Sequence, residues 1–171
     1  MENRKFFGDN TLISDFVQKL NKVETLDGGW STKYLENETG FYWLKYIADD
    51  RSSSMNLMLI SPPPTTDDII DLVFISNYSD EVSAAANRLC IEEKVDKTDF
   101  RHKLISRLNI DLTKLDHEER DRIKNIIQSS QLTDKVNRRV IVGKHYIEIE
   151  KDAEYFSSIA KRAETILNSL K

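Results

Sequence analysis

The side chains able to do chemistry are few and scattered. His102, His117 and His145 stand apart from one another, and none has Cys, Asp or Glu at the spacing of a metal site such as HExxH or CxxC. Asp116-His117-Glu118-Glu119 brings acid and base together, but that pattern also opens a helix, where carboxylates accept orphan N–H groups and meet the positive end of the dipole. Asp49-Asp50-Arg51 can hold a cation or a substrate, or form a solvated turn. Cys90 is the single cysteine; it sits in an Ala-rich segment and is expected to pack as a small apolar group. One thiol excludes a disulfide within the chain and fits a reducing compartment. No GxGxxG, GxxxxGK[ST] or GxSxG is present. The expectation is a protein without a catalytic constellation, cofactor or metal, and so not an enzyme.

Two basic clusters can touch phosphate if they meet: Lys97, Arg101, His102, Lys103 and Arg107, and Arg138, Arg139 and Lys144. Glu92, Glu93, Asp96 and Asp99 dilute the first, so a mixed-charge helix surface is the expectation. The net charge of −4 over 171 residues also argues against nucleic acid as a partner. No apolar run reaches the ~20 residues of a membrane span. Lys5-Phe6-Phe7 is followed at once by Gly8-Asp9-Asn10, which gives no signal peptide and an expected cytoplasmic location.

The elements that position these groups centre on residues 28–48, which hold six of the fifteen aromatic residues, both tryptophans among them. Gly28-Gly29 breaks what precedes. Trp30, Thr32 and Tyr34 then alternate with Ser31, Lys33 and Leu35. Glu36–Gly40 reads as a turn. The return strand sets Phe41, Trp43, Lys45 and Ile47 against Tyr42, Leu44, Tyr46 and Ala48. Trp30 and Trp43 are expected in the core, whereas Tyr34, Tyr42 and Tyr46 suit either a core or an exposed surface. Before the hairpin, Asn10 or Thr11 is expected to cap a helix running to about Val23. After it, Met55–Ile60 reads as a third strand.

Pro62-Pro63-Pro64 reads as a rigid elbow, followed by a capping box at Thr65 and Asp68. Helices are expected next, with inward faces Ile69/Leu72/Val73, Val82/Ala85/Ala86/Leu89, Phe100/Leu104/Ile105/Leu108 and Ile123/Ile126/Ile127. Residues 131–146 fit either a loop or an edge strand at Val140–Val142. A last helix from about Ile147 carries a seam of Ile149, Ala153, Phe156, Ala160, Ala163, Leu167 and Leu170. That seam fits docking on its own domain or a homodimeric coiled coil. The fold class is therefore α+β. An N-terminal helix and an antiparallel sheet of about three strands are followed by a stack of short helices and a long C-terminal helix. These form a single domain, with a sheet half 1–61 and a helical half 65–171 joined by Pro62–Pro64.

At Gly28-Gly29-Trp30, with Tyr34-Leu35, Thr39-Gly40 and Tyr42-Trp43 following, the chain resembles a group of bacterial immunity proteins, the immunity protein 27 group. These are cognate inhibitors of polymorphic toxins. In that group a tryptophan strand and a tyrosine-tryptophan strand flank a Thr-Gly or Asp-Gly turn, and a tyrosine- and glycine-rich segment follows. Here Asp49–Ser54 stands in the latter place without a glycine cluster, and the resemblance covers about residues 24–62. It implies a cytoplasmic, non-enzymatic protein that binds and blocks a toxin. The expected surface is the hairpin's outer face, with Tyr42, Leu44 and Tyr46, and the turn Asp49, Asp50 and Arg51 beside it. A helical-repeat-like scaffold or oligomerisation protein is the alternative, and a small-molecule enzyme the second.

Overall fold

The computed structural model describes residues 4–48, 54–96, 99–137, 139 and 141–171. The chain forms two compact units, residues 1–85 and 86–171.

The first unit is built on a five-stranded antiparallel sheet of order β1-β5-β4-β3-β2, so the expected three strands become five. The strands are β1 Phe6–Phe7, β2 Asn21–Leu26, β3 Ser31–Glu36, β4 Phe41–Ile47 and β5 Met55–Leu59. Helix α1, Asn10–Val17, is capped by Asp9 rather than Asn10 or Thr11, because the Asp9 carboxylate accepts from Thr11 N (2.8 Å) and Leu12 N (3.0 Å). It stops six residues short of Val23. The stretch that follows pairs with β3 instead, with a bulge between Lys22 and Glu24. β2 showed no alternation because neither of its faces is buried. β1 went unseen because two residues carry no period.

Register assigns the faces. Phe7, Leu57, Leu59 and Trp43 face α1 and form a core with Ile13, Phe16 and Leu20. Three rings meet there: Phe7 and Phe16 stack at 4.9 Å, and Trp43 stands edge-on to Phe16 at 5.0 Å. Phe6, Met58, Tyr46 and Asn56 are buried on the opposite face.

The outer edge of β1 is closed by the first turn of α3, Ser79–Asp96. Glu81 accepts from Lys5 N (2.7 Å) and Phe6 N (3.1 Å), and Asp80 accepts from Gly8 N (3.1 Å) and from Arg4 Nη2 (2.6 Å). A Cβ at Gly8 would stand 2.6 Å from the Asp80 carbonyl oxygen, which is why only glycine fits. Pro62 follows a cis peptide bond. Thr65 and Asp68 form the expected capping box on α2, Thr66–Ile75, which buries Ile69, Ile70, Leu72 and Val73. The division between units falls inside α3, between Ala85 and Ala86, and not at the prolines.

The second unit holds the rest of α3 with α4 Phe100–Arg107, α5 His117–Ser129 and α6 Tyr146–Ser169. The inward faces of α4 and α5 are buried as their spacing predicts, and α4 packs on α6. The seam of α6 needs correction at its start. Ala153 is exposed and Asp152 is buried, so the buried stripe runs Asp152, Phe156, Ile159, Ala160, Ala163. The 3.6-residue period places 152 and 156 on one line, and two basic side chains make a buried Asp152 tolerable. Among the described residues of 131–146 there is no strand, and Ile141 and Val142 are exposed. No helix among the described residues is long and apolar enough to cross a membrane.

Candidate functional site

The hairpin β3–β4 positions the predicted surface. Its turn closes at Gly40, whose φ of 74° lies where a side chain is strained. Its two tryptophans have opposite fates. Trp43 is 4% exposed, locked under α1, and its indole N–H donates to Glu36 (3.3 Å). Trp30, expected in the core, is 67% exposed. Asp27, Gly28 and Gly29 all have positive φ (52°, 65° and 108°), and the turn they make leaves Trp30 one residue ahead of β3, outside the strand pairing.

Tyr42, Leu44 and Tyr46 share the face opposite Trp43, as their spacing predicts. Tyr42 and Leu44 are half-buried, with the Lys33 ammonium 4.5 Å from the Tyr42 ring. Tyr46, paired with Asn56, is buried and presents little surface. Asp49, Asp50 and Arg51 lie outside the described residues.

A cleft of about 470 Å³ opens on the α1 side at the turn end of the same hairpin. Phe41, Trp43 and Leu59 line it with Pro62–Pro64; Arg4, Lys5, Glu36 and Asp68 supply its charges. No signal in the sequence joined these residues, which come from β1, the hairpin, the end of β5 and the cap of α2. Neither described carboxylate there is idle. Glu36 accepts from Thr39 Oγ1 (2.7 Å) and from the Trp43 indole. Asp68 accepts from Thr65 Oγ1 (2.7 Å) and Thr65 N (2.9 Å). Those bonds hold the Asp68 carboxyl below its ordinary range, and the charge on Lys5 adds a smaller pull.

The other candidates have structural partners. Asp116 and Glu119 form the expected capping box. His145 caps α6, and His117 stands exposed beside Asp121 (3.1 Å). None of the three histidines lines the cleft. The Cys90 thiol is buried and donates to Ser130 O (3.1 Å). The basic clusters do meet, on the ring of Phe156, where Arg101 and Arg139 stand 4.7 and 5.8 Å from its centroid.

Both guanidiniums are neutralised, which leaves no phosphate seat at that ring. Arg101 donates through Nε to both oxygens of Glu93 (3.0 and 2.9 Å), with each partner 1% exposed. Burial pushes the Glu93 carboxyl up, and Arg101 pulls it back. Arg139 donates to Asp152 (2.7 Å), which Lys144 also contacts. Burial works to raise the Asp152 carboxyl, but Lys144 and Arg139 outweigh it and hold the group low. The Tyr155 hydroxyl donates to Asp99, and burial followed by that carboxylate pushes its phenol well up. Lys97 and Arg138 lie outside the described residues. Among the described residues no group of His, Cys, Asp and Glu is arranged to hold a metal. No family model, no curated protein and no solved structure matches the chain.

Proposed function

We propose that this chain is a non-enzymatic protein-binding module that neutralises a bacterial toxin in the cytoplasm through its hairpin. The observation that carries this reading is the division of the hairpin's faces. Trp43 locks one face under α1, while Tyr42 and Leu44 on the other are only half-buried. A rigid strand that presents an aromatic ring loses little freedom on binding, and tyrosines are frequent anchors of interfaces. The resemblance over residues 24–62 supplies the partner class, and a net charge of −4 is compatible with a basic toxin domain. Co-purification with the product of the neighbouring locus tests it: sub-micromolar binding is expected. Tyr42→Arg and Leu44→Asp should each weaken binding by about thirtyfold without lowering thermal stability, as an interface anchor would. Failure of the unmodified chain to bind removes the reading.

One observation favours a second reading, a helical scaffold that holds another protein or a second copy through the start of α6. Ile141, Val142, Tyr146 and Ile147 are all more than half exposed there. Under that reading Val142→Asp and Ile147→Asp abolish binding, while Tyr42→Arg spares it.

A further inference from the structure

We infer that the cleft beside the hairpin turn binds an apolar group that carries a carboxylate. Its volume of about 470 Å³ falls within the ~300–1,000 Å³ of small-ligand sites. Its lining is chiefly apolar: Phe41, which is 41% exposed, the edge of Leu59, and the rings of Pro62, Pro63 and Pro64 over a floor of Phe7, Phe16 and Trp43.

The charged groups decide what the polar end of a ligand must be. Glu36 and Asp68 already accept two hydrogen bonds each from the protein. The donors are the groups left over. Among the described residues no carboxylate stands within ion-pair distance of the Lys5 ammonium, and no hydrogen-bond acceptor meets it. Arg4 is 9% exposed, clasped between the rings of Phe7 (4.3 Å) and Tyr78 (4.4 Å), and its Nε is buried without an acceptor. One of its other nitrogens is paired with Asp80. Arg4 and Lys5 both line the cleft, and the Lys5 ammonium, which acts on the Asp68 carboxylate only from beyond ion-pair distance, calls for an acceptor with negative charge. The apolar lining calls for an alkyl or aryl body beside it. A free small acid and the last residue of a protein chain share this chemistry.

The inference does not rest on the toxin-binding reading, since it uses the opposite face of the hairpin, and the two tests can fail independently. Trp30→Phe leaves Trp43 as the sole tryptophan, in the floor of the cleft and bonded to Glu36, so its emission reports occupancy. The full-length Trp30→Phe chain is titrated with octanoate and 4-phenylbutyrate, and with octanol and 4-phenylbutanol as uncharged counterparts. A second arm uses a tetrapeptide ending in phenylalanine with a free carboxylate, and the same peptide amidated. At least one acid should give a saturable change in the millimolar range or below, with its uncharged counterpart about tenfold weaker. Lys5→Met and Phe41→Ser should each weaken it by about tenfold, with far-UV circular dichroism unchanged. Response to the small acids alone identifies a free acid as ligand; response to the peptide alone identifies a chain terminus. No saturable change with any acid, equal binding of acid and alcohol, or full affinity in both variants would overturn the inference. Should Lys5→Met fail to fold, Phe41→Ser at its exposed position and the acid–alcohol comparison still decide.

Discussion

The two units handle their buried carboxylates differently. In residues 1–85 the buried carboxylate of Glu81, 2% exposed, faces neutral donors: the N–H groups of Lys5 and Phe6, and the Ser76 hydroxyl (2.7 Å). In residues 86–171 the buried carboxylates face charge, with Glu93 on Arg101 and Asp152 on Arg139 and Lys144. The first arrangement completes an edge strand too short to hold itself, and it blocks the row of N–H groups where another strand would dock. The second ties α4 to α3 through Arg101 and Glu93, and α6 to the segment before it through Asp152. Carboxylates thus satisfy main chain where strands need closing, and side chains where helices need fixing.

The largest test of this contrast is the Arg101–Glu93 pair. Arg101→Met leaves a buried carboxylate without its partner and should cost about 3–5 kcal/mol in denaturant unfolding. Arg101→Met combined with Glu93→Leu should recover most of that loss, because two apolar groups need no desolvation. A double variant as unstable as the single would show that the pair contributes net stability.

The tryptophans give a test of similar size within the first unit. Trp43→Ala should cost about 3–5 kcal/mol, since it empties the centre of the Phe7–Phe16 cluster. Trp30→Ala should stay within about 0.5 kcal/mol. Equal effects would mean that the turn at Asp27–Gly29 folds Trp30 back onto the sheet.

Smaller effects sharpen the comparison of carboxylates. Glu81→Ala strands the N–H groups of Lys5 and Phe6. It should cost about 1–3 kcal/mol and bring concentration-dependent association, read by light scattering, as the edge of β1 opens. The smallest effect is one of pH. The folded Asp152 carboxyl titrates below its ordinary 3.8, so on acidification the unfolded chain takes up the proton first. Its contribution is whole above that value and drains away as pH falls through the lower, folded one. Asp152→Asn should therefore lower the melting temperature at neutral pH and flatten its decline below about pH 4. An unchanged acid slope would place the loss on other carboxylates.

Several short-range signals read true, although the cap of the first helix fell on Asp9 and not on Asn10 or Thr11. The capping boxes at Thr65 and Asp116 and the left-handed Gly40 are settled by a few neighbouring residues, and so is the face shared by Tyr42, Leu44 and Tyr46. Backbone sterics and a period of two or 3.6 residues decide them locally. Tertiary structure decided what has no local cause. β1 exists because carboxylates some seventy-five residues away accept its N–H groups. β2 became a strand by pairing with β3, against the helical run of its neighbours. Trp30 and Trp43, identical in type and thirteen positions apart, differ in burial because the turn at Asp27–Gly29 leaves Trp30 outside the strand pairing, while Trp43 packs in the core with Phe7 and Phe16. The cleft draws on β1, α1, the hairpin, β5 and the cap of α2, which only the folded chain brings together. Burial depends on which layers meet, and that is a property of the assembled chain.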